Sequence, residues 1–237
     1  MIILIGAGVS NDLTLRAIEE MKNCDVVYAE VYTDPMLKEA LPAIERLIGK
    51  RIIELPREKV ESEFLVNEAV DKTVALIAGG DALIATTHVV LVIECKKKNI
   101  PIRVIHNSSI YSVAPAKAGL QMYRFGKTAS LVNPRPNYKP TSSLDIIREN
   151  LQRNLHTLVL CDTEPEPMTA AAALKQLAEF EYAVVLSRLG EKGEQIIFGK
   201  VAQLIEDVKY LGEPPFTIII PAKLHIVEEE YLEWCKL

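Results

Sequence analysis

Three short segments carry residue types suited to holding a small polar ligand, and they follow one another in a fixed order. They are Gly6-Ala7-Gly8-Val9, Gly79-Gly80-Asp81-Ala82-Leu83 and His106-Asn107-Ser108-Ser109-Ile110-Tyr111-Ser112. Glycine has no Cβ, so its backbone N–H groups can lie against a ligand. Asp81 is an acceptor for a hydroxyl or an ammonium, and Ser108 and Ser109 are donors for a carboxylate. Each segment comes just after a short apolar run. An α/β sheet binds its ligands at the loops that leave the carboxyl ends of its strands. Three such loops in one half of the chain point to a small-molecule pocket.

Each segment also has a plainer reading. Gly6-Ala7-Gly8 opens like a dinucleotide fingerprint, but the third glycine of that pattern falls on Asn11. Glu30 does close the second strand near the expected spacing. An NAD site, a structural turn and a turn that admits a ligand all remain open. Asp81 equally suits an Asx turn capping the next helix. His88, His106 and His225 stand singly, with no metal-ligand spacing between them, so no metal is expected. No G-x-S-x-G elbow surrounds either serine, which argues against a hydrolase nucleophile.

The elements that would position these loops alternate through the first half. Strands are expected at Ile2–Ile5, Asp25–Ala29, Arg51–Leu55, Thr73–Ala78 and Ile102–Ile105. Helices are expected at Leu13–Lys22, with Leu15, Ile18 and Met21 on one face, and at Leu37–Ile48, Glu63–Lys72 and Thr86–Lys97. That alternation predicts a largely parallel sheet covered on both faces. The second half is read as strands at Lys127–Val132, His156–Cys161, Tyr182–Leu186, Gln195–Gly199 and Phe216–Pro221. Its helices are Leu144–Gln152, Thr169–Phe180 with Thr169 as cap, and Glu228–Cys235. Pro134, Pro136 and Pro140 exclude a helix between the first strand and helix of this half. Arg135, Tyr138 and Lys139 give that loop a basic, aromatic character suited to a protein partner. The expected architecture is α/β in two domains, 1–112 carrying the glycine turns and 113–237.

Composition narrows the classes. The chain has 237 residues, 49% of them hydrophobic, enough for real cores. A net charge of −5 argues against a nucleic-acid partner. Cys24, Cys95, Cys161 and Cys235 form no C-x-x-C pair and are read as free thiols of a reducing compartment. Met1-Ile2-Ile3-Leu4-Ile5 lacks a basic flank and breaks at Gly6, so it reads as a strand rather than a signal peptide. No apolar run reaches the ~18 residues of a membrane span. A soluble cytoplasmic protein is expected.

Read together, several stretches resemble a family. Gly6 to Val9, Asp12-Leu13-Thr14-Leu15 and Cys24 to Thr33 are similar to the opening of the tetrapyrrole-methylase fold. Three other stretches narrow the resemblance to the archaeal-type diphthine synthases. They are Ala85-Thr86-Thr87-His88, Tyr123-Arg124-Phe125-Gly126-Lys127, and Lys223-Leu224-His225-Ile226-Val227-Glu228. The resemblance implies two α/β domains with a cofactor cleft between them, usually in a homodimer. It implies S-adenosylmethionine as methyl donor and elongation factor 2 as protein substrate. The amine of an aminocarboxypropyl-histidine would be methylated successively to trimethylated diphthine.

Carried over position by position, the cofactor residues are Val9, Asp81, Ile84, Ser109, Ile110, Cys161, Leu189 and Phe216. The family usually shows leucine at Val9, proline at Ala82 and histidine at Phe216. Loop position makes Glu30, Tyr32, Tyr111 and Asp162 candidates for assisting proton removal, with Glu30 or Tyr32 also able to favour a growing cation. The alternatives are a methyltransferase of the same fold acting on a tetrapyrrole or ribosomal RNA, and a cofactor-binding protein without turnover.

Overall fold

A computed structural model describes residues 1–133 and 141–237. The proline loop with Arg135, Tyr138 and Lys139 lies outside the described residues. Two compact units divide the chain, Met1–Ile110 and Tyr111–Leu237.

The first unit runs β1 (Ile2–Gly6), α1 (Leu15–Asn23), β2 (Val26–Ala29), α2 (Pro35–Ile48) and β3 (Ile52–Glu54). It continues with α3 (Arg57–Val60), α4 (Phe64–Glu68), β4 (Val74–Ala78), α5 (Val89–Lys97) and β5 (Ile102–Ile105). The strands pair in the order β3-β2-β4-β1-β5, all parallel. β1 and β4 are buried along their whole length, as a central strand covered on both faces must be. Alternate β1 side chains serve opposite cores. Ile3 and Ile5 pack with Met21 of α1 and Leu37, Leu41 and Ile44 of α2. Ile2 and Leu4 pack with Leu65 and Val66 of α4 and Leu91 and Cys95 of α5.

Several element bounds differ from expectation for local reasons. α1 starts at Leu15 because the Thr14 hydroxyl accepts from the Ala17 N–H, 3.1 Å away. Its buried face is Ala17 and Met21, four residues apart, with Ile18 beside them, and Leu15 points to solvent. α2 begins at Pro35, where a missing N–H costs nothing, capped by Asp34. Pro42 sits on its exposed side. The expected Glu63–Lys72 helix is helical only over Phe64–Glu68. α5 starts at Val89 because Thr86 spends its hydroxyl on the Ala82 carbonyl, closing a turn ahead of the helix.

The second unit contains α6 (Ile110–Lys117, whose first residue closes the first unit), β6 (Ala129–Leu131), α7 (Ser142–Gln152), β7 (Thr157–Cys161) and α8 (Ala170–Gln176). Then follow β8 (Tyr182–Ser187), β9 (Gln195–Lys200), α9 (Val201–Glu206), β10 (Phe216–Ile220) and α10 (Ile226–Glu233). Its sheet has the order β6-β7-β10-β8-β9, parallel only between β6 and β7. Val159, Val185 and Ile218 on one sheet face pack with Ile147 of α7, Leu174 of α8 and Leu204 of α9. Thr169 caps α8 through the Ala172 N–H, but the helix stops at Gln176, short of Phe180. α6 and α9 were not expected. α6 contains Pro115, and α9 is a short helix directly after β9.

Candidate functional site

The sheet order places β4, β1 and β5 side by side, so the loops after them emerge together. β4 has a further property. The chain leaves it for α5 on one face of the sheet, whereas β1 and β2, its two neighbours, lead to α1 and α2 on the other. Adjacent strands whose connections part to opposite faces open a crevice at their carboxyl ends.

The three loops are bonded to one another. Gly8 donates to the Gly80 carbonyl at 2.9 Å, and Gly80 donates back to the Gly8 carbonyl at 3.2 Å. Both sit at positive φ, +80° and +60°. A Cβ on Gly6 would lie 2.6 Å from the Gly80 carbonyl oxygen, so the approach of these backbones excludes any side chain there. The third loop ties in through side chains. Ser108 Oγ accepts from the Val9 N–H at 3.1 Å, and Asn107 Nδ2 donates to the carbonyls of Gly6 (3.1 Å) and Asp12 (2.9 Å).

Asp81 joins the second loop to the third. Its buried carboxylate accepts from the Leu83 N–H at 3.0 Å on Oδ1. Oδ2 lies 2.8 Å from His106 Nδ1 and accepts from the Asn107 N–H at 3.2 Å. The Asx-turn reading therefore describes one oxygen, and a clamp on the third loop describes the other. The carboxylate expected to reach for a ligand is engaged by the protein on both oxygens.

The loop after β2 borders this cluster. A Cβ on Gly79 would come 2.2 Å from Asp34 Cβ, so glycine is required for the two chains to pass. Glu30 is fully buried and accepts from the N–H and the hydroxyl of Thr33. Tyr32 carries the Arg57 guanidinium over its ring at 4.7 Å, so a protein cation already uses that aromatic surface. His88, expected within a helix, stands just before α5 and is buried. Its Nδ1 lies 2.8 Å from the Ala82 carbonyl, and burial pushes its pKa down, so the ring is neutral.

In the second unit, Cys161 ends β7, Phe216 begins β10 and Leu189 follows β8. The antiparallel register sets Thr217 opposite Leu160 and Phe216 opposite Ser187, so all three lie at one end of that sheet. Leu189 and Phe216 are both buried. Val9 is buried likewise in the first unit, whereas Ile84 is exposed. Burial pushes the Cys161 thiol up to about 12, with Asp162 adding to the effect. Asp162 accepts from the N–H groups of Asn133 and Glu164. Ser109 is buried, and Ile110 and Tyr111 open α6.

Two of the three narrower motifs, Tyr123 to Lys127 and Lys223 to Glu228, meet elsewhere in the second unit, at the fully buried Glu228. Its Oε1 accepts from the Gln121 N–H (3.0 Å) and His156 Nε2 (3.3 Å), and its Oε2 from the His225 N–H (2.8 Å) and the Arg124 guanidinium. His156 Nδ1 accepts from the Ala222 N–H at 2.9 Å, so its proton is on Nε2. Burial alone would raise Glu228, but the His225 and Gln121 N–H groups, with His156 and Arg124, hold its pKa below the usual value.

Comparison with known proteins agrees with this architecture. The model of the Tetrapyrrole (Corrin/Porphyrin) Methylases matches residues 1–205. A diphthine synthase of Methanocaldococcus jannaschii is 41% identical over 99% of this chain and 98% of its own length. One from Methanothermobacter thermautotrophicus is 38% identical, covering 98% and 94%. The chain belongs to the tetrapyrrole methylase family and, within it, to the diphthine synthases. Among solved structures, a diphthine synthase crystal structure superposes with a TM-score of 0.89 at 30% identity, covering 100% of this chain and 96% of that one. A putative diphthine synthase from Entamoeba histolytica gives 0.88 at 32%, covering 100% and 98%. Diphthine synthases therefore match this chain along its full length, including the loops after β1, β4 and β5.

Sequence reasoning placed Gly79 and Asn107 in ligand-holding loops and expected His88 within a helix, but it gave none of the three its structural part in the site. The only signal for Asn107 was a short polar residue following a strand, and its partners lie 95 and 101 positions away.

Proposed function

We propose that this chain transfers methyl groups from S-adenosylmethionine to the amine of an aminocarboxypropyl-histidine on elongation factor 2, three in succession, giving diphthine. The observation that supports it most is the bonded trio of loops after β4, β1 and β5, in a chain matched end to end by diphthine synthases.

The residues present fit the cofactor. Gly80 has positive φ, and a Cβ there would meet nothing closer than 3.7 Å, so its backbone stands clear of side chains. Val9, Asp81, Ile84, Ser109, Ile110, Cys161, Leu189 and Phe216 are the residues that would hold the cofactor. The family histidine at Phe216 is not required where the contact is main-chain. The bound cofactor supplies an electrophilic methyl on a sulfonium. Cys161 stays a neutral thiol at physiological pH and so is a poor competitor for that methyl.

Methyl transfer is an in-line displacement and needs no covalent enzyme intermediate. Rigid loops that hold nucleophile and methyl in line contribute ~7–11 kcal/mol through proximity and orientation. The mutual bonds of Gly8, Gly80, Asp81 and Asn107 supply that rigidity. The amine must be neutral to react, so each ammonium formed before the last transfer gives up a proton.

Calorimetry with S-adenosylmethionine, its demethylated product and NAD tests the cofactor. The first two should bind, and NAD should not. Tight NAD binding with no response to the other two would overturn the assignment.

A further inference from the structure

The turn between β8 and β9 carries Leu189, and the chain holds that residue from both sides. Before it, Arg188 stands at φ +46° and its N–H donates to the Pro215 carbonyl at 3.1 Å, next to Phe216. After it, the Gly190 N–H donates to Glu194 Oε2 at 2.6 Å. The segment folds back on itself through the Glu191 N–H, bonded to the Arg188 carbonyl, and the Glu194 N–H, bonded to the Glu191 carbonyl, both at 3.0 Å. The second oxygen of Glu194, Oε1, accepts from the Lys117 ammonium at 2.7 Å. Lys117 is the last residue of α6, and that helix end is itself fixed. Tyr231 of α10 donates its hydroxyl to the Lys117 carbonyl at 3.0 Å, and its ring lies so close to Gly119 that a Cβ there would come within 2.3 Å of it.

A single carboxylate therefore ties the Leu189 turn to the end of a helix. Burial pushes the Glu194 pKa up, but Lys117 and the Gly190 N–H outweigh it and hold the group below its usual value, so both bonds are charge-assisted at neutral pH. The Lys117 and Glu194 side chains are 44% and 22% exposed, and an ion pair so placed contributes little to stability. The bond from Gly190 differs in kind, because it fixes the main chain. Gly190 is exposed, so water replaces a lost acceptor there and stability hardly depends on Glu194. What Glu194 sets is the geometry of the turn, which a bound ligand would otherwise have to order.

We propose that Glu194 is a positioning residue for S-adenosylmethionine, holding the main chain at Leu189 in its binding geometry, and that Lys117 acts through it. The consequence for the cofactor rests on the function proposed above, whereas the bond to Gly190 does not.

Amide hydrogen exchange reads that bond without the cofactor. The Gly190 amide should exchange about ten-fold faster in Glu194→Ala than in the wild type, and faster by a smaller factor in Lys117→Met. Unchanged exchange at Gly190 in Glu194→Ala would overturn the proposal whether or not the chain binds S-adenosylmethionine. Calorimetry reads the consequence. Glu194→Ala should weaken S-adenosylmethionine about ten-fold with little change in melting temperature, and Lys117→Met should weaken it less. Lys117→Arg, which can reach the same carboxylate, should bind as the wild type does. The double variant of Lys117→Met and Glu194→Ala should bind no worse than Glu194→Ala alone, because Lys117 then has nothing left to act through. Additive losses in the double variant, or a fall in melting temperature with affinity unchanged, would contradict the positioning role.

Discussion

Asp81 is the residue that joins the second and third turns, and its removal would leave three protein donors without their acceptor. Asp81→Ala should lower stability by about 2–3 kcal/mol in urea unfolding, and should weaken S-adenosylmethionine as the turns part. His106→Ala should cost under about 1 kcal/mol, because that ring is largely exposed and its contact is solvated. An Asp81→Ala protein with unchanged urea midpoint but weakened cofactor would instead make the carboxylate a direct ligand contact. The sequence left Asp81 between a cap and a ligand acceptor. The local part of the answer, Leu83 two residues on, was legible. His106, 25 residues on, was not, because no periodicity links two loops on different strands.

Among the elements, the turns at Gly6 and Gly49 make a controlled pair. A Cβ at position 6 meets the Gly80 carbonyl at 2.6 Å, whereas one at position 49 meets nothing within 4 Å, with only its φ of +70° to oppose it. Gly6→Ala should therefore abolish measurable cofactor binding and destabilise strongly. Gly49→Ala should cost about 1–2 kcal/mol, the penalty for a left-handed L-residue, and leave the cofactor dissociation constant unchanged. Denaturation and calorimetry on both variants check this. The parallel sheet of the first unit was legible because β1 and β4 are continuous apolar runs, and Thr169 announced the start of α8 correctly, whereas the first helix was expected from Leu13 and starts after Thr14. Leu15 misled because the buried stripe of α1 runs through Ala17 and Met21, and alanine carries a weak hydrophobic signal. α6 escaped notice because Pro115 lies within it, and α9 because it is a short helix with no gap after β9.

At the scale of the molecule, buried histidines set the response to acid. Burial lowers the folded pKa of His156, against Glu228, and of His88. A depressed folded pKa gives stability that is complete above the unfolded value, about 6.5 for histidine, and that is lost as pH falls toward the folded value. Protonating His156 Nδ1 would also break its bond from the Ala222 N–H. Glu228, likewise depressed, adds a second loss below about pH 4.3. The melting temperature should fall between about pH 7.5 and 5.5, and His156→Gln should shrink that fall without removing the share due to His88. An equal fall in the variant would take His156 out of the account. The central claim is methyl transfer, and mass spectrometry of elongation factor 2 tests it most directly. Factor carrying the aminocarboxypropyl-histidine, incubated with this protein and S-adenosylmethionine, should gain the mass of three methyl groups on that residue, and factor lacking the group should gain none. No added mass on the modified factor, from protein shown by calorimetry to bind S-adenosylmethionine, would contradict it.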